Sequence, residues 1–116
     1  MPVNGEDVGR RWGDGSVAEG YRSGLTEDEV EELARKVMDL ICREWPRLRG
    51  SLDSSVIYTR LIEEGVDPPD YALCDALNRL DGWFIRPYLG RRSEDQIRVH
   101  GGMRIGGVNT SLCDEV

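Results

Sequence analysis

The chain has 116 residues and a formal net charge of -7, with 32% of residues charged and 39% hydrophobic. That balance suits one globular domain and excludes a disordered or fibrous chain. No apolar run approaches the roughly 20 residues of a membrane-spanning helix, and Met1 to Gly24 lacks the apolar core of a secretory signal, so the expectation is a soluble cytoplasmic domain with no membrane partner.

Residues 1–24 hold Gly5, Gly9, Gly13, Gly15, Gly20 and Gly24 among scattered charges without periodicity. Such a segment buries too little surface to offset its ordering entropy, so it reads as a flexible tail in which only Trp12 and Tyr21 are apt to dock. Residues 106–116 read as a second flexible tail, leaving 25–105 as the domain.

The first helix begins on a capping box, Thr26 with Glu29, and on the hydrophobic staple of Leu25 with Val30. Val30, Leu33, Val37, Leu40 and Ile41 recur at helical spacing, and Pro46 disfavours helical geometry at Trp45. The spacing predicts a helix over 26–45. Arg47 to Leu52 reads as a connector with a short extended piece. Ser51, Asp53 or Ser54 can cap a second helix over 54–64, with Gly65 as its left-handed terminator. Asp67, Pro68 and Gly82 bracket a third helix over 68–81, whose inward stripe is Leu73, Ala76, Leu77 and Leu80.

After Gly82 the period changes. Trp83 to Tyr88 is aromatic and β-branched and reads as a strand, with Pro87 confining it to an edge or a bulge. Strand alternation places Trp83 and Ile85 inward, and Phe84 and Tyr88 outward. Gly90 to Gln96 reads as a polar loop, Ile97 to His100 as the second strand of an antiparallel hairpin, and Met103 to Ile105 as a short third strand. The fold class is therefore α+β, mainly helical: a three-helix head followed by a β-hairpin wing.

Charge is unevenly spread. Thr26 to Asp81 is strongly acidic. Between Gly82 and Ile105, Arg86, Arg91, Arg92, Arg98 and Arg104 outnumber Glu94 and Asp95.

Val56 to Gly65, the turn Val66-Asp67-Pro68-Pro69, Leu73 to Leu80 and Gly82-Trp83-Phe84-Ile85 together resemble the helix, turn, helix, glycine, strand order of winged-helix (winged helix-turn-helix) proteins. The resemblance is one of layout and spans about 26–105. It implies DNA binding and transcription regulation, with the third helix in the major groove and the wing on phosphates. The positions it points to are Tyr71, Asp75, Asn78 and Arg79 on the third helix, and Arg86, Arg91, Arg92 and Arg98 on the wing. The chemistry of the third helix departs from that pattern. Asp67 to Asp81 contains four aspartates against Arg79 alone, which opposes approach to phosphates.

No motif calls for catalysis. Glu31/Glu32 and Glu63/Glu64 are sequence neighbours that point apart on a helix, and His100, the sole histidine, has no sequence partner for nucleophilic chemistry. Cys42, Cys74 and Cys113 are odd in number and widely spaced, which signals neither a disulfide framework nor a metal site. Cys42 and Cys74 read as small buried hydrophobes in a reducing compartment. No cofactor and no small-molecule ligand is indicated.

The sequence thus points to a non-catalytic binding module. In the first form it binds nucleic acid through Asn78, Arg79, Arg86, Arg91, Arg92 and Arg98. In the alternative it is a protein-interaction module, with another protein or a second copy as partner, using the acidic helices or the hairpin face through Tyr71, Asp75, Phe84 and Tyr88.

Overall fold

The computed structural model describes residues 21–88, 90 and 92–115. Trp12 and Arg91 therefore lie outside the described residues. Helix α1 spans Glu27–Leu48, and both halves of its capping box form: the Thr26 hydroxyl accepts from the Glu29 N–H at 3.2 Å, and the Glu29 carboxylate from the Thr26 N–H at 2.9 Å. Its inner stripe of Val30, Leu33, Ala34, Val37, Leu40 and Ile41 is buried. The helix passes through Pro46 instead of stopping before it. Pro46 stands in the last turn, where its missing N–H forfeits a single bond, and the Arg49 N–H closes the helix on the Trp45 carbonyl.

Helix α2 spans Ser54–Glu63, and Asp53 is the cap among the three candidates, accepting from the Val56 N–H at 3.0 Å. It ends in a paired-bond terminator, Val66 N–H to Leu61 O at 2.8 Å and Gly65 N–H to Ile62 O at 3.0 Å, with Gly65 at φ +86° as expected. Helix α3 spans Ala72–Leu80, four residues shorter at its start than Asp67-Pro68 suggests. Pro69 is the reason: a proline pushes the residue before it, here Pro68, out of helical geometry. The chain instead enters α3 through Tyr71, a non-glycine residue at φ 67°.

The largest departure lies in the wing. Strand β1, Ile85–Tyr88, pairs antiparallel with β2, Arg104–Val108, and helix α4, Glu94–His100, stands between them. Residues 97–100 are thus not a strand. Ile97-Arg98-Val99-His100 alternates like a strand over only four residues, whereas Ser93 with Gln96 forms a second capping box and Gly101 ends the helix at φ 94°. The expected pairing with residues 97–100 does not form; the antiparallel partner of β1 is Arg104–Val108, reached through a helix rather than a polar loop. Pro87 stands where the register shifts, on the open edge of the sheet, as its missing donor requires. The far side of β2 is covered by the piece after α1: Ile105 N–H donates to Leu52 O at 3.0 Å, and Ser54 N–H to Met103 O at 2.7 Å.

Leu33, Val37, Leu40, Ile57, Leu61, Leu73, Leu77, Leu80 and Ile85 share one buried core, joined by Leu52, Phe84, Met103 and Ile105. Among the described residues, four α-helices and a two-stranded antiparallel sheet make a mainly helical α+β fold, compatible with a winged-helix layout. No helix among the described residues is long and apolar enough to cross a membrane.

Two further expectations need correction. Within the stretch expected to be a flexible C-terminal tail, residues 106–115 carry regular structure: β2 continues to Val108, and a 3₁₀ segment spans Thr110–Glu115. Cys42 of α1 and Cys113 of that segment form a disulfide, 71 residues apart, so Cys42 is not a free thiol. Cys74 is free and buried, as expected.

Candidate functional site

Helix α3 is mostly buried. Ala72 through Leu77 and Leu80 are all buried, because α1, α4 and the segment Tyr21–Gly24 pack around them. Asp75, expected on the surface, is 4% exposed. Its carboxylate accepts the backbone N–H groups of Arg22 at 3.3 Å and Ser23 at 2.9 Å. Arg79 turns back to Glu27 and Glu31 of α1 and to the Tyr21 hydroxyl. Asn78 alone among the four α3 candidates is well exposed.

The wing arginines divide in two. Arg98 pairs with Asp95 at 3.0 Å and Asp70 at 3.5 Å, which raises its pKa above the ordinary arginine value, the Asp95 hydrogen bond first among the causes. Arg92 donates to the Gly101 carbonyl at 2.8 Å. Arg86 and Arg104 are exposed and make no ion pair among the described residues.

The hairpin presents these two on one outer face with Tyr88. Tyr88 stands opposite Arg104 across the strands, and Arg86 opposite Gly107. Gly106 is the extra residue of the bulge; a side chain there would come within 3.2 Å of the Arg86 carbonyl and 3.6 Å of Tyr88 Cβ. The glycine therefore lets the strands close beneath Tyr88, which is 63% exposed. Phe84 does not share this face. It is 1% exposed while Trp83 is 50% exposed, the reverse of the strand expectation. Gly82 to Phe84 is a turn, and the alternation starts only at Ile85.

Beside Tyr88 and Arg104 opens a cleft of about 350 Å³, walled by Ser55, Gln96, His100 and Gly102. Ser54 lies at its base, fully buried. The Ser54 hydroxyl is 2.7 Å from His100 Nδ1 and accepts from the Met103 N–H at 3.0 Å, while the Gly102 N–H points to the same Nδ1 at 3.2 Å. An N–H directed at Nδ1 leaves that nitrogen bare, so the neutral ring carries its proton on Nε2 and the serine hydroxyl donates. A serine–histidine contact of this length is the geometry of an activated nucleophile. Here the hydroxyl is sealed from solvent, and Asp53 spends its carboxylate on the Val56 N–H and the Ser55 hydroxyl rather than on His100. The pair works as a clamp between the start of α2 and the end of α4, and the Met103 N–H bond ties the same hydroxyl to the residue before β2.

Sequence reading missed Ser54 with His100 because the two are 46 residues apart. It counted Arg104 only as charge. No group of three or more histidine, cysteine, aspartate or glutamate side chains among the described residues is arranged to hold a metal ion.

No protein-family model matches the chain, and no curated protein or solved structure matches it significantly.

Proposed function

We propose that the chain is a non-catalytic binding module of winged-helix-like layout that engages an acidic segment of a protein partner through the outer face of its hairpin. Tyr88 supplies the aromatic anchor, and Arg86 and Arg104 supply charge on either side. Tyrosine, tryptophan and arginine are enriched at binding hot spots, where they fill well-packed, desolvated pockets. The observation that carries this reading is the burial of α3: with Ala72 through Leu77 buried and Asp75 at 4% exposure, that helix offers little surface for reading a groove. The disulfide between Cys42 and Cys113 supports it further, since such bridges persist in oxidising surroundings, where a duplex is an uncommon partner.

The test is a pair of titrations on the full chain, one with random-sequence duplex DNA at two salt concentrations, one with a displayed library of acidic peptides. Selected peptides should lose at least roughly tenfold in affinity on Tyr88→Ala or Arg104→Ala, with no duplex binding at low salt. Duplex binding whose salt dependence flattens when Arg86 and Arg104 are removed would instead establish the nucleic-acid reading.

A further inference from the structure

The segment before α1 is seated like a ligand. Tyr21 to Gly24 forms a turn, closed by the Gly24 N–H on the Tyr21 carbonyl at 3.4 Å, with Gly24 at φ +79°. Asp75 grips the two central N–H groups of that turn, one per carboxylate oxygen. Arg22 then lies over the ring of Tyr71, 4.0 Å from its centroid, and its guanidinium reaches Glu94 of α4 at 2.9 Å. The Tyr71 hydroxyl donates to the same Glu94 carboxylate, which ties ring and anion into one unit. Tyr71 adopts φ 67°, a conformation unfavourable for an aromatic residue, and its N–H is held by the Arg98 carbonyl at 2.7 Å.

We propose that Tyr71, Asp75 and Glu94 form a receptor for an arginine-bearing turn on another protein chain, and that Arg22-Ser23 occupies it as the chain's own displaceable ligand. The recognition divides into two parts. Asp75 reads backbone N–H groups and accepts any turn of this shape. Tyr71 and Glu94 read a guanidinium, through the ring face and a carboxylate.

Two facts argue for exchange rather than permanent closure. The Arg22–Glu94 pair is solvent-exposed, with side chains 49% and 60% accessible, and exposed pairs hold weakly. Asp75, by contrast, is buried, and a buried carboxylate without donors is costly. The socket therefore tolerates replacement of one arginine turn by another far better than it tolerates standing empty. None of its three receptor residues belongs to the hairpin face, so this proposal stands apart from the function proposed for Tyr88 and Arg104.

The test uses the full chain carrying Arg22→Ala and a labelled peptide of the chain's own residues 19–25, EGYRSGL, beside the same peptide with alanine for arginine. Arg22→Ala protein should bind the arginine peptide at least roughly tenfold more tightly than the alanine peptide. Wild type should bind it at least roughly tenfold more weakly than the variant does, because the tethered turn competes at high effective concentration. Adding Glu94→Gln should erase the preference for arginine. Arg22→Gln serves as a second variant whose tethered turn lacks the guanidinium, with circular dichroism confirming that each is folded. A folded variant with no arginine-dependent binding, or equal binding by wild type and variant, overturns the proposal.

Discussion

Ser54 and His100, 46 residues apart, meet at 2.7 Å and join the start of α2 to the end of α4. The same hydroxyl receives the Met103 N–H at 3.0 Å, in a fully buried setting. Ser54→Ala therefore leaves a buried donor unpaired. The expected loss is about 1–3 kcal/mol, the usual cost of such a group. A denaturant melt should show a lower midpoint at unchanged slope; an unchanged midpoint would mean that water reaches the Met103 N–H.

How much of this was legible is clearest at the two capping boxes. Thr26 with Glu29 announces α1 because a long apolar stripe follows it, and periodicity and cap then agree. Ser93 with Gln96 carries the same signal before α4, but only seven residues follow, and Ile97 and Val99 alternate as they would in a strand. Over so short a stretch the two periods cannot be told apart by pattern alone. Gly101, which reads equally as the end of a strand, is in the structure the left-handed terminator of the helix.

The core leucines were readable because their spacing is local, as were Gly65 and the edge position of Pro87. Phe84 was misjudged because it belongs to the turn at Gly82–Phe84, where strand alternation does not apply. The arginine socket and the Cys42–Cys113 bridge were not readable. Each joins residues more than 50 positions apart, and nothing local marks such a pairing.

The disulfide closes a loop with a sequence separation of 71 residues. Chain-entropy arguments give such a bridge about 4 kcal/mol of stabilisation through the unfolded state. Cys113→Ser, or mild reductant, should lower the denaturant midpoint accordingly, while thiol titration under denaturing conditions rises from one free thiol to two in the variant and to three in the reduced wild type. An unchanged midpoint after full reduction would show that the C-terminal 3₁₀ segment holds its place on α1 without the bridge.

Gly101 and Gly65 offer a controlled comparison. Both hold positive φ, at 94° and 86°, but a side chain at Gly65 would meet nothing, whereas one at Gly101 would stand 3.3 Å from Cys74 Cα and Leu77 Cδ1. Gly65→Ala should cost about 1–2 kcal/mol for the left-handed backbone alone. Gly101→Ala should cost distinctly more, because the end of α4 packs directly on the α3 backbone. Equal losses in thermal melts would mean that α4 shifts freely on α3.

Acid should loosen the arginine socket, and the order of effects can be worked out from its geometry. The Glu94 carboxyl is held below the ordinary carboxylate range, first by the Tyr71 hydroxyl bond and then by the charges of Arg22 and Arg98. A carboxyl whose folded pKa is depressed contributes stability above its unfolded value, about 4.3, and loses it as pH falls through the folded value. The contact should therefore be intact at neutral pH and fail only in acid below that point. Tyr71 moves oppositely: donating to Glu94 raises its pKa, so the hydroxyl keeps its proton further into base. An NMR titration of the Glu94 carboxyl should show its midpoint rise toward the ordinary value in Tyr71→Phe. Arg22→Ala should raise it by less, and the Arg22 and Ser23 amide signals should shift over the same acid range in the wild type. A Glu94 midpoint indifferent to Tyr71→Phe would show that the hydroxyl bond does not form in solution.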